Sequence, residues 1–326
     1  KNAPSFFLID LWNIDGVSEE SGYYRPLMLL SLAIDHALFG LSAAGYHLHS
    51  LLWHLLTCCA LLLLLHRLVS PAAALAGTAV FALHPIQSEA VIWIAARNDP
   101  MAATAALLTL WLLLPGEVGR RRLAGAALLS TLALLAKESV LLLPAALFLL
   151  DRVRGVRTGW QRPGAIAAGF AVALLLRAIS GVGQTVLPTP AAISLAVEQS
   201  PAILTLIGAQ LVWPSTLCSA WSLEWLALPP GMQLAGVAGL AVLTLAPFLR
   251  PAPQRHMALV GLLVAVIFYL PAMVPIASKG LIGERYLYLP MVGGVLWLVS
   301  VLPRRGLPVL VLLLPLSVLR LSLIHI

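Results

Sequence analysis

Apolar runs recur along the chain at residues 46–66, 72–93, 100–115, 123–136, 139–151, 164–180, 232–249, 257–275, 287–302 and 306–320. Each run predicts a helix. Several are shorter than the roughly 20 residues a straight membrane span needs. Those either extend past these limits or are broken helices stabilised by protein neighbours. The pattern predicts an all-α polytopic membrane protein with about ten spans. Two apolar stretches fit a span poorly. In 25–40 the pattern is interrupted by Asp35 and His36, which predicts an interfacial amphipathic helix. Counting 200–213 as a span would put Arg250 and Arg255 on the wrong side. It is therefore expected to be re-entrant or to lie flat, anchored by Trp213, Trp221 and Trp225.

Composition sharpens this picture. Of 326 residues, 60% are hydrophobic and 10% charged, and the mean hydropathy of +0.96 excludes an ordinary soluble domain. The net charge of +7 does not point to nucleic acid, because the arginines sit in short clusters with no basic stripe. Those clusters set an orientation. With the N-terminal loop outside, the inner loops hold Arg67, Arg120–Arg122, Arg152, Arg154, Arg157, Arg162, Arg250, Arg255, Arg304 and Arg305. Of the acids, only Glu117 and Asp151 fall on that side, so the positive-inside rule is obeyed loop by loop. Cys58, Cys59 and Cys218 form neither a metal-ligand spacing nor an evident disulfide pair.

The outer side holds the candidate chemistry. FALHPIQSEAVIWIAARNDP brings His84, Glu89, Arg97 and Asp99 to membrane depth, where ionisable groups are costly and point to function. Glu89 and Asp99 flank one short loop and are expected to face a common cleft. Asp99-Pro100 also suits a helix start. Lys137-Glu138 is either a hairpin tip with an internal ion pair or a lysine reaching an anionic headgroup. In KGLIGERYLYLP, Lys279 and Arg285 defy the positive-inside rule. Arg285, beside Tyr286 and Tyr288, offers a planar fork suited to phosphate oxygens. In the N-terminal loop, Asp10 and Asp15 are further candidate acids. A Walker loop, HExxH and GxSxG are all missing from the sequence, which argues against chemistry by a soluble cofactor.

These blocks in this order resemble the transmembrane and tetratricopeptide-repeat O-mannosyltransferases and their bacterial relatives, within the GT-C class of membrane glycosyltransferases. The resemblance is carried by YYRPLMLLSLAIDHALFGLSAAGYHLHSLLWHLL, FALHPIQSEAVIWIAARND, LALLAKESVLLLPAALFLLD and GERYLYLP, and covers about residues 10–300. It implies a GT-C-like helical bundle. It also implies a sugar, with mannose a candidate, moved from a polyprenyl-phosphate donor to a protein or glycan acceptor on the outer face, in a bacterial inner membrane. The acceptor-activating acid then comes from Asp99, Glu89, Asp15 and Asp10. Arg285, Tyr286, Tyr288, Lys279, Arg97, His84, Lys137 and Glu138 are the substrate-binding candidates. No cofactor is implied, and a divalent metal stays open. Residues 1–24 correspond to the end of the first external loop and 25–320 to the transmembrane domain. The tail 321–326, LSLIHI, looks like sequencing read-through. The family's first helix, the start of that loop with its principal acid, and the repeat domain are expected to lie outside this sequence. A transporter or lipid flippase, or a non-catalytic membrane scaffold, are the competing readings. The lack of an inverted repeat and the one-sided charges weigh against transport.

Overall fold

A computed structural model describes residues 3–10, 22–115, 117–157, 159–182, 189–212, 221–222 and 229–302. The first helices are α1 (Pro26–Phe39), α2 (Ala43–Leu65), α3 (Pro71–Leu83), α4 (Ser88–Ile92), α5 (Asn98–Leu113), α6 (Arg120–Ala136) and α7 (Leu143–Val153). They are followed by α8 (Gln161–Ser180), α9 (Pro190–Glu198), α10 (Ser200–Val212), α11 (Pro230–Leu245), α12 (Ala252–Tyr269), α13 (Met273–Lys279) and α14 (Pro290–Val301). Two short strands, β1 (Trp221–Ser222) and β2 (Leu281–Ile282), pair antiparallel, Trp221 opposite Ile282.

Proline and glycine set many of the boundaries. Prolines 26, 71 and 290 occupy first-turn positions, where a missing N–H costs nothing. Gly40 ends α1 at φ +59, a conformation in which a side chain would be strained. The apolar run 72–93 is not one helix: α3 stops at His84-Pro85, and a 3-10 turn over Pro85–Gln87 leads into α4.

Two compact units emerge. The first joins residues 1–64 to 90–187. Within it α6 packs between α5 and α8. The α6–α8 crossing is tight because Gly169 presents only a hydrogen there. A Cβ on Gly169 would collide with the Ala127 carbonyl oxygen and lie 2.8 Å from Ser130 Cβ. The Thr131 hydroxyl, shared with Ala127, donates to the Gly169 carbonyl at 3.0 Å. Between α2 and α5, the hydroxyls of Thr57 and Thr104 meet at 2.8 Å. Small residues and hydroxyls at crossings are how helices pack when lipid removes the hydrophobic drive.

The second unit joins residues 65–89 to 188–326. Here α12 and α14 pack back to back through Gly261 and Gly293. A Cβ on Gly261 would lie 2.6 Å from the Trp297 nitrogen, and one on Gly293 would meet the backbone of Ala265 and Gly261. Gly77 of α3 receives Val295 and Val299 of α14. The Trp297 indole donates to the Leu243 carbonyl at 2.9 Å, tying α14 to α11.

Among the described residues, three helical stretches are long and apolar enough to cross a membrane: Ala43–Leu65, Gln161–Ser180 and Ala252–Lys279. A fourth crossing is possible at Pro190–Glu198 and Ser200–Leu211, two helices bent by 54°. Shorter apolar helices include α1, α3 and α14. Large apolar side chains stay exposed on α8 (Leu175, Ile179) and α11 (Leu234, Leu245), as lipid-facing helices require. The polarity of α1 runs opposite to the interfacial expectation: Asp35 is fully buried, while Leu38 and Ile34 are exposed. Residues 306–320, the tail, Trp213 and Trp225 lie outside the described residues.

Candidate functional site

In the first unit, α5 and α6 run antiparallel, so the start of α5 meets the end of α6. Asp99 lies in the first turn of α5, where the helix dipole favours a carboxylate. Lys137 caps α6 in an extended conformation, which turns its side chain back toward α5. Its ammonium donates to Asp99 Oδ1 at 2.5 Å, with both side chains nearly excluded from solvent. The other Asp99 oxygen, Oδ2, is buried and has no hydrogen-bond partner among the described residues.

Lys137 and Glu138 do not pair with each other across a hairpin tip. Glu138 instead meets Arg25, the residue before α1, whose Nη2 donates to Oε1 at 2.6 Å and whose Nε approaches Oε2 at 3.4 Å. With its amide oxygen turned toward Arg25, Asn98 accepts from Nη1 at 2.7 Å. The guanidinium also lies 4.5 Å from the Tyr23 ring centre. Two cations and two carboxylates from the starts of α1 and α5 and the end of α6 thus alternate in one cluster. Burial pushes the Lys137 ammonium down from its ordinary value, opposed by Asp99. For Glu138, burial pushes up but the Arg25 fork outweighs it, holding the carboxyl at about 2. The Glu138 side chain is 37% exposed, so water screens part of this attraction.

A second network in the same unit centres on Arg97, which is wholly buried. Its guanidinium pairs with buried Asp35, donates to Ser31 at 2.8 Å and Ser50 at 3.0 Å, and reaches the Tyr46 carbonyl at 2.7 Å. His49 also pairs with Asp35, and its Nε2 accepts from the Trp53 indole at 3.1 Å. With Nε2 accepting, the ring proton sits on Nδ1, facing Asp35. Arg97 therefore holds α1 and α2 to the start of α5.

The opposite end of the same helices carries a different arrangement. Arg162 grips both oxygens of Asp151, at 3.0 and 2.9 Å, and donates to the Pro115 carbonyl at 2.7 Å. Arg154 bonds the Leu114 carbonyl. Helix α5 spans about 24 Å at 1.5 Å per residue, separating this end from Asp99.

In the second unit, Glu89 lies in the first turn of α4 and is buried. It is gripped twice by Arg285: the backbone N–H donates to Oε2 at 2.7 Å, and the guanidinium pairs with Oε1. The guanidinium also lies 5.0 Å from the Tyr286 ring centre. Tyr288 is wholly buried, edge-on to Phe81 at 5.3 Å, so it belongs to the core. His84 spends both ring nitrogens on backbone: Nδ1 accepts from Ile86 N–H, and Nε2 meets the Leu211 carbonyl at 3.0 Å. That tautomer anchors the α3 end to α10. Lys279 ends α13, just before Gly280 at φ +64. Asp10 is buried in the first unit, and Asp15 lies outside the described residues.

The structure thus brings Asp99 to Lys137 and Glu89 to Arg285. It adds Arg25, Asn98, Asp35 and His49, which the sequence pattern does not single out as site residues. The available signal was Asp35, an acid inside an apolar run. Among the described residues no three His, Cys, Asp or Glu side chains converge to hold a metal ion.

No protein-family model matches the chain. Over 101 residues, 30% of the chain, it is 33% identical to Protein O-mannosyl-transferase Tmtc1 of Drosophila melanogaster. That stretch is 12% of the fly protein's length. Among solved structures, it is similar to the crystal structure of ArnT from Cupriavidus metallidurans in the apo state. The TM-score is 0.45 and the identity 16%, over 96% of this chain and 57% of that one.

Proposed function

We propose that the chain is a membrane glycosyltransferase of the GT-C kind, moving a sugar from a polyprenyl-phosphate donor to an acceptor hydroxyl on the outer face. Mannose is the sugar suggested by the O-mannosyl-transferase it resembles. The shorter apolar helices complete a bundle of about ten crossings, with the bent α9–α10 pair at the outer interface. The carrying observation is Asp99: a buried carboxylate with one oxygen fixed by Lys137 and the other without a partner among the described residues. A polar group held in that state suits a group that accepts a proton.

In this reading Asp99 Oδ2 takes the proton of the acceptor hydroxyl. The acceptor oxygen bonds to the sugar's anomeric carbon as the bond from that carbon to the phosphate oxygen breaks. The bonding pair leaves with the polyprenyl phosphate. Lys137 orients Asp99 through its hydrogen bond to Oδ1. Within the second unit, Arg285 is the side chain whose planar fork suits phosphate oxygens, with Glu89 setting its plane.

Asp99→Asn tests the assignment, because Asn caps a helix about as well as Asp. The full chain in proteoliposomes, given polyprenyl-phosphate mannose and a hydroxyl acceptor, is expected to lose about 10²–10⁴-fold in turnover with its folded amount unchanged. A near-wild-type rate returns Asp99 to a capping role.

A further inference from the structure

At the end of the first unit remote from Asp99, four helix termini converge. Asp151 and Arg162 join the end of α7 to the start of α8, and Arg154 joins α7 to the end of α5 at the Leu114 carbonyl. Helix α6 starts at the same end. Its Thr131 meets Gly169 of α8 and its Leu135 clusters with Ala173, so these two helices run parallel. Counting back about 12 Å from the contact between Ala127 and Gly169 reaches the start of both.

The charges at this end divide by burial. Arg162 and Asp151 are buried and neutralise each other. Arg120, Arg121, Arg122, Arg152 and Arg157 are exposed, and Glu117 is the one exposed acid among the described residues of this end. Helix stability does not account for the first three. They occupy the opening turn of α6, where the dipole disfavours cations and no acid offsets them. Trp160, just before α8, is 91% exposed.

Further along the same helices the exposed faces are apolar. On α6, Arg121 stands about two turns from exposed Leu128. On α7, Arg152 lies one turn from Phe148, its guanidinium 5.3 Å from the centre of that exposed ring. Trp160 opens α8, which exposes Val172, Leu175 and Ile179. Each helix thus passes from side chains that suit hydrocarbon to arginine or indole at one end. An indole fits the headgroup level, where its ring meets acyl chains and its N–H meets polar groups. Guanidinium forks at that level match phosphate oxygens. The adjoining apolar faces put these arginines at a bilayer surface, which makes the occupant a lipid rather than a soluble polyanion.

We propose that this end of the first unit is a binding surface for anionic phospholipids of the adjoining leaflet, its exposed arginines holding the phosphates and Trp160 set among the headgroups. A zwitterionic headgroup carries a cation that the arginines repel, so net negative charge is the feature selected. The proposal is independent of the chemistry assigned to Asp99.

The test is a lipid titration of the full detergent-solubilised chain by native mass spectrometry, with phosphatidylglycerol and phosphatidylcholine as probes. The wild type is expected to retain phosphatidylglycerol preferentially. Arg121→Gln with Arg152→Gln should lower its affinity about 25-fold, at about 5-fold per arginine near a charged lipid surface, and change phosphatidylcholine little. Arg250→Gln with Arg255→Gln, which removes the same charge from the second unit, should leave the preference unchanged. Equal retention of the two lipids by the wild type, wild-type affinity in the first variant, or equal losses from both variants overturns the proposal; the last outcome shows an effect of net charge alone. A second measurement needs no variant. Phosphatidylglycerol with a photoreactive headgroup is expected to cross-link the wild type within 120–122, 152–157 or at Trp160, and cross-links confined to other segments overturn the proposal.

Discussion

Removing Asp35 should destabilise the first unit more than any surface change could. Asp35 and Arg97 are both 0% exposed in their side chains, and the pair joins α1 to the start of α5. Replacing Asp35 by Leu strands a guanidinium that cannot shed its proton. Breaking a buried pair by deleting one partner costs about 3–5 kcal/mol. Arg97 keeps Ser31, Ser50 and the Tyr46 carbonyl, so the lower end applies. At roughly 1.4 kcal/mol per decade, about 3 kcal/mol shifts the folding equilibrium some 100-fold. Deleting both charges is a different matter, since apolar groups of similar shape often replace a buried pair without loss. Asp35→Leu with Arg97→Met is expected to recover to within about 1–2 kcal/mol of wild type. Denaturant titration of the detergent-solubilised chain, followed by tryptophan fluorescence, measures all three variants. Asp35→Leu unfolding with wild-type midpoint, or a double variant as weak as the single one, refutes the reasoning.

Gly293→Ala should destabilise the second unit by about 1–3 kcal/mol through overpacking, since the new methyl meets the Ala265 and Gly261 backbone; thermal unfolding checks this. The Glu138 carboxyl sits at about 2 against an ordinary 4.5, so the unfolded chain binds more protons between those values. Its contribution to stability is complete above about 4.5 and fades as pH falls toward 2, and Glu138→Gln should flatten that part of the pH profile measured by unfolding. Reporter fusions after Arg122 and Arg162 should both report cytoplasm, and one after Asp99 the outer side.

Much of the helical pattern was legible because lipid-compatible helices announce themselves by apolar length alone. Runs 46–66, 100–115 and 164–180 correspond to Ala43–Leu65, Asn98–Leu113 and Gln161–Ser180. Helix α9, ahead of the run at 200–213, was not anticipated, and the run 257–275 is interrupted at Leu270–Ala272 before α13. Breaks of this kind depend on proline position and tertiary support, which hydropathy does not encode. The candidate site was legible as residue types at membrane depth, not as partners. Asp99, Lys137, Glu89 and Arg285 could be picked out singly. Their pairing depends on which helix ends meet, across 38 residues in one case and 196 in the other. Asp35 shows the reverse error: a polar residue in a short apolar run suggested a wet helix face, yet its partner Arg97 lies 62 positions away and takes it into the core.

The central claim is sugar transfer, and its most direct measurement is a single-turnover assay of the wild-type chain in proteoliposomes with radiolabelled polyprenyl-phosphate mannose and a hydroxyl acceptor. Labelled acceptor and free polyprenyl phosphate should appear together in equal amounts, with the label lost from the donor at the same rate. Intact donor that changes leaflet without losing its sugar would contradict the account and identify a lipid transporter instead.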